Sequence, residues 1–113
     1  MDFVALDLAR FATALMGTVE VAPTGVLIER LPSADDARLR VTGIAIAGGR
    51  ELPEHDNPGE AMLQVLAGAV TLHSADGRQV PLTAGMLAPI PEARHRVEAH
   101  ETSVLLLTQV PRS

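Results

Sequence analysis

From Gly25 onward the chain is divided by turn residues into short apolar segments, and this punctuation limits its architecture more than any other feature. Gly48-Gly49, Asn57-Pro-Gly59, Asp76-Gly77, Ala84-Gly85 and His100-Glu101 are turn signals. They separate candidate strands at 61–66, 69–73, 79–82, 86–90, 94–98 and 103–110, and Ser33-Ala-Asp-Asp36 separates two earlier ones at 25–31 and 39–47. Seven or eight short strands at this spacing predict an all-β, closed or double-sheet antiparallel architecture. In the segment 39–47 the apolar phase moves from Leu39 and Val41 to Ile44 and Ile46, which predicts a bulge or bend at Gly43.

Ahead of the strands, Val4, Leu8, Phe11, Ala12 and Leu15 recur at helical spacing and predict a short N-terminal α-helix over 3–16. Asp2 is its expected cap and Gly17 its expected end. A chain of 113 residues leaves room for one domain, with the helix in 1–17 and a barrel in 25–110. Aromatic residues make up only 2% of it, so the core must come from Leu, Val, Ile, Ala and Met. The shortage of aromatics and a net charge of −5 argue against nucleic acid as a partner. There is no cysteine, which excludes disulfide scaffolds and thiolate chemistry. No apolar run approaches a membrane span, and the N-terminus lacks a basic region ahead of an apolar block, so a cytoplasmic protein is expected.

The stretch from Gly49 to Gly68 contains His55, Asn57, Glu60, Ala61 and the apolar run Leu63-Gln-Val-Leu. Gly49, His55 and Gly68 fit the frame G-x5-H-x-H-x3-E-x6-G, with Asn57 and Ala61 in place of the second histidine and the glutamate. Gly85 and Pro91 begin a second frame, G-x5-P-x-G-x2-H-x3-N, in which Ala93 replaces the glycine, His95 falls one residue early and Ala99 takes the asparagine position. Residues from about 39 to 110 thus resemble a small single-domain bacterial cupin of the RmlC-like kind, with a degenerate metal motif. That resemblance implies a jelly-roll β-barrel, a homodimer, and His55 and His95 on neighbouring strands facing one cavity. It implies no settled substrate.

A catalytic metal in an imidazole and carboxylate site usually needs three protein ligands. The resemblance supplies two, His55 and His95, for a divalent transition metal such as Zn, Fe, Ni or Mn. Asn57 offers only a neutral carbonyl, Ala61 offers nothing, and Glu60 is one residue out of phase unless the turn before it bulges the strand. The expected pocket is apolar and is marked by His55, Asn57, Ala61, Leu63, Met86 and His95. Three functions are compatible with it: a small-ligand-binding barrel, a metal-dependent dioxygenase or isomerase using His55 and His95, and a dimeric structural protein. A hydrogen-bonded histidine pair with no further role is the purely structural reading. His73 and His100 are expected at the surface.

Overall fold

The computed structural model describes residues 5–34, 36–55 and 59–111. Helix α1 (Leu8–Val19) precedes β1 (Val26–Arg30), β2 (Arg40–Ile46), β3 (Glu51–His55), β4 (Gly59–Ala67), β5 (Ala69–Ser74), β6 (Gln79–Thr83), β7 (Leu87–Pro89), β8 (His95–Ala99) and β9 (Ser103–Pro111). Five strands pair in the order β1-β2-β9-β4-β7 and four in the order β3-β8-β5-β6. All these pairings are antiparallel. The main core lies between the two sheets, where Ile44, Leu63, Val65 and Leu105 of the first pack with Val70, Leu72, Leu82 and Val97 of the second. This is the double-sheet antiparallel architecture that the punctuation predicts and the jelly-roll barrel that the resemblance implies, with the short N-terminal helix read from helical spacing.

The change of phase in β2 has a cause other than a bulge. Register runs without a break through Gly43, from Ile46 opposite Ser103 to Arg40 opposite Gln109. Ile44 and Ile46 point into the barrel, while Ala45 points outward into a second cluster with Ala12, Leu15, Val19 and Val104. The strand is apolar on both faces because α1 covers its outer side. Gly43 is the seat of Phe11, since a Cβ added there would collide with Cζ and Cε2 of the phenyl ring.

The helix is also displaced from its expected bounds. Asp7 caps it, accepting from the backbone N–H groups of Ala9 and Arg10 at 3.1 and 3.2 Å. Asp2 and Val4 lie outside the described residues. Gly17 does not end the helix, because the buried stripe Ala12, Leu15 and Val19 continues past it and burial of Val19 offsets the glycine's cost.

Gly68, by contrast, does mark a sharp turn, between β4 and β5. Its φ is +94°, and a Cβ there would collide with Ser103 Oγ and come within 2.6 Å of Thr102 O. Ser103 is fully buried and ties this corner together, accepting from Ala69 N–H at 3.1 Å and donating to Glu101 O at 2.8 Å.

Strand β3 is absent from the segments expected from the sequence. Its residues Glu51-Leu-Pro-Glu-His55 offer one aliphatic side chain and a proline. The strand forms at a sheet edge, with its register shift falling between Leu52 and His55, around Pro53. An edge and an irregularity are the places in a sheet where proline is tolerated.

Candidate functional site

The two motif histidines meet through this edge strand. His55 ends β3, His95 begins β8, and the two are direct cross-strand partners. Their rings pack edge to face, with centres 4.3 Å apart and planes at 66°. Each ring is fixed by the carbonyl two residues before it: His55 Nδ1 is 2.8 Å from Pro53 O, and His95 Nδ1 is 3.2 Å from Ala93 O. Ion pairs between flanking residues, Glu54–Arg94 at 3.0 Å and Glu51–Arg96 at 2.9 Å, join the same two strands. Exposed pairs of this kind hold register more than they add stability. His95 is 3% exposed. Burial pushes its pKa below the ordinary 6.5 and the neighbouring His55 pushes the same way, against the Ala93 carbonyl, which raises it.

Beside the pair is a cavity of about 170 Å³. Ile44 and Leu107 wall it from one sheet and Leu52 and Val97 from the other, with Ala61, Leu63 and Ile90 completing the apolar lining. His55, His95 and Gln109 are its polar residues. A wider surface groove of about 880 Å³, bordered by Arg38, Glu60, Met62 and Glu92, shares Ala61, Ile90 and Gln109 with it and forms its approach.

Of the residues expected at the site, His55, Ala61, Leu63 and His95 line one cavity. Asn57 lies outside the described residues. Met86 does not belong there: it is 45% exposed in the turn between β6 and β7, where its sulfur accepts from Thr83 N–H and Oγ1–H at 3.4 Å. The turn turns its side chain to solvent, whereas a strand would have alternated it inward. Glu60 is exposed, and β4 keeps its register from Gly59 to Val65, so the carboxylate stays on the face opposite Ala61.

Gln109 escaped the motif reading, although alternation with Leu105 and Leu107 along β9 is enough to turn it inward. It is the cross-strand partner of Ala61 on one side and of Arg40 on the other. Its Oε1 is enclosed with no hydrogen-bond partner.

Among the described residues the donor set for a transition metal stops at the two imidazoles. Among the described residues no group of three or more His, Asp or Glu side chains converges on one point.

The other two histidines form a separate polar network on the outer face of the four-stranded sheet. His73, whose side chain is only 15% exposed, bonds Glu98 at 2.9 Å, and His100 Nε2 lies 2.7 Å from Thr71 Oγ1. The Glu98 carboxyl is held below its ordinary range, first by the His73 hydrogen bond and then by the nearby charges of His100, His73 and Arg96. These are partnered surface groups facing away from the cavity. Among the described residues, no helix is long and apolar enough to cross a membrane.

The family model for the cupin domain matches residues 44–110. A conserved protein of unknown function from Streptococcus pyogenes is 24% identical, with a TM-score of 0.73 over 100% of this chain and 91% of its own. A cupin superfamily protein from Desulfitobacterium hafniense is 18% identical, with a TM-score of 0.75 over 99% and 94%. An RmlC-like cupin from Shewanella frigidimarina is 22% identical, with a TM-score of 0.67 over 79% and 78%. No curated protein matches. At these identities the solved structures speak for the fold.

Proposed function

This chain belongs to the cupin domain family, and on that premise we propose that it binds a small, largely apolar molecule in the cavity beside His55 and His95. One observation carries the reading: a cavity of about 170 Å³ is walled mainly by aliphatic side chains, with His55, His95 and Gln109 as its few polar residues. Apolar walls with a small number of placed polar groups are the ordinary form of a small-molecule site. The reading is of a binding barrel rather than a metal enzyme, because among the described residues the donor set stops at two imidazoles and Ala61 contributes only a methyl group.

The test is methyl NMR on protein purified without chelator, titrated with phenol. Saturable shifts are expected at Ile44, Leu63 and Leu107 inside the barrel, with none at Ile28, which is 65% exposed. Shifts confined to surface methyls would remove the pocket from consideration. Elemental analysis of the same sample separates the enzyme alternative: stoichiometric iron, nickel, zinc or manganese that disappears in His55→Ala and His95→Ala would replace this reading with a metal-dependent one.

We also read the functional unit as a homodimer. Met62 and Leu87 support this, lying 37% and 58% exposed on the outward face of β4 and β7 beside Pro89. An apolar sheet face of this kind is a usual place for self-association. Sedimentation as a monomer at micromolar concentration would overturn it.

A further inference from the structure

The cavity beside the histidine pair is not closed. Ala61, Ile90 and Gln109 border both it and the wider groove of about 880 Å³, so the two form one continuous space with the small aliphatic chamber at its inner end. The passage depends on position 61. The motif frame puts a glutamate there, and β4 turns that side chain inward together with Leu63. Alanine leaves only a methyl group in the way.

The outer part of this space is charged where the inner part is aliphatic. Arg38 borders the groove from the segment ahead of β2, Glu60 from β4, and Glu92 from the segment between β7 and β8. All three are exposed, and among the described residues none of them enters an ion pair. Three separate segments thus bring one cation and two carboxylates to one groove. Among the described residues lining the cavity there is no arginine, lysine, aspartate or glutamate.

We propose, resting on the reading above, that the ligand spans both parts: a short branched or cyclic apolar body in the cavity, and a zwitterionic head in the groove. Its chemical class is a small apolar α-amino acid, whose carboxylate meets Arg38 and whose ammonium meets Glu60 and Glu92. A lone ammonium would leave Arg38 unbalanced, and a lone carboxylate would face two like charges. The head stays in the open groove because burying an ion in the aliphatic chamber is costly. The chamber limits the body. A dry cavity near 150 Å³ accommodates benzene, so about 170 Å³ admits an isobutyl group or one small ring.

The test is methyl NMR at pH 7 on methyl-labelled protein, titrated with L-leucine, isopentylamine, isocaproate and glycine. The first three share an isobutyl body and differ only in the head, and glycine is the head alone. Leucine is expected to shift the cavity methyls of Leu63 and Leu107. It should bind about threefold more tightly than isopentylamine and about fivefold more tightly than isocaproate, sizes that suit solvent-screened ion contacts. Glycine should give no saturable shifts. In Arg38→Gln the preference for leucine over isopentylamine should disappear. In Glu60→Gln combined with Glu92→Gln the preference over isocaproate should disappear instead. Leucine binding no more tightly than isopentylamine, isocaproate binding most tightly, or preferences unchanged in these variants would overturn the assignment of the head. Phenol still shifting the cavity methyls would then leave the pocket reading standing. Failure of both leucine and phenol to bind overturns both.

Discussion

Gly43→Ala should destabilise the protein only while Phe11 is present. The added Cβ would collide with Cζ and Cε2 of the phenyl ring and would also lie 3.5 Å from Leu15 Cδ1, so the ring must leave its seat. Complete burial of a phenylalanine is worth about 1.5–3 kcal/mol. Phe11 is partly buried, so expelling it should cost about 2 kcal/mol. Against this, alanine in a strand interior is favoured over glycine by about 0.5–1 kcal/mol. The net cost is then about 1–1.5 kcal/mol, a drop in Tm of roughly 5 °C for a domain of this size. In a Phe11→Ala background the ring is gone, only the strand preference remains, and the same substitution should stabilise by about 0.5 kcal/mol. The chain has no Trp or Tyr, so urea unfolding of the four proteins is best followed by far-ultraviolet circular dichroism. A coupling near 2 kcal/mol is expected. A coupling under about 0.5 kcal/mol, with Gly43→Ala equally harmful in both backgrounds, would refute the account of how α1 is seated.

Three further outcomes follow from the same geometry. Gly68→Ala combines a left-handed backbone with a collision at Ser103 and Thr102, and should cost about 2–5 kcal/mol; a loss under about 1 kcal/mol in urea titrations would contradict the corner described here. Gln109→Leu should raise the Tm of the ligand-free protein, by up to about 5 °C, because it removes an enclosed acceptor that has no partner; a fall in Tm would show that the amide is satisfied. Because His95 in the folded chain holds its proton less readily than its ordinary 6.5 allows, the unfolded state binds more protons between that lowered value and 6.5. Stability should therefore fall as pH drops through 6.5 and level off below the folded-state value. Urea midpoints measured from pH 8 downward should show a shallower acid decline in His95→Asn, and an identical decline would remove His95 as its source.

Sequence reading succeeded where local chemistry decides structure and failed where a distant element intervenes. Turn residues such as Asp76-Gly77 act over a few positions, and the hairpin they predict forms, closed by a 2.9 Å bond from Ser74 N–H to Arg78 O. The phase change in β2 reads as a bulge because nothing within that segment reveals that α1 will lie across Gly43 and Ala45. Strand β3 is invisible to propensity because Pro53 and its charged neighbours are tolerable only at an edge, and edge position is a property of the assembled sheet. At the site, the motif frame located His55, Ala61 and His95, since those spacings encode barrel geometry. It missed Gln109, which reaches the cavity through pairing of β9 with β4 across more than forty residues of chain.

The arrangement of the acceptors bears on whether the histidine pair is merely structural. A pair kept for packing would be expected to bond ring to ring or to close on a neighbouring side chain. Here each Nδ1 is instead satisfied locally, by Pro53 O and Ala93 O, so neither ring depends on the other for its orientation. Edge-to-face contact at 4.3 Å then brings both rings to one wall, while Gln109, whose Oε1 is enclosed and unpartnered, lines the cavity from β9 of the other sheet. The enclosed Gln109 Oε1 gives up hydration, and low dielectric makes an unpaired buried group more costly. Leucine or isoleucine at all three positions would pack this end of the barrel at lower cost, as they do at Ile44, Leu63 and Leu107 around it. A few polar residues set among aliphatic walls are the ordinary form of a small-molecule site. On the proposed reading, the compensating free energy comes from the bound small molecule.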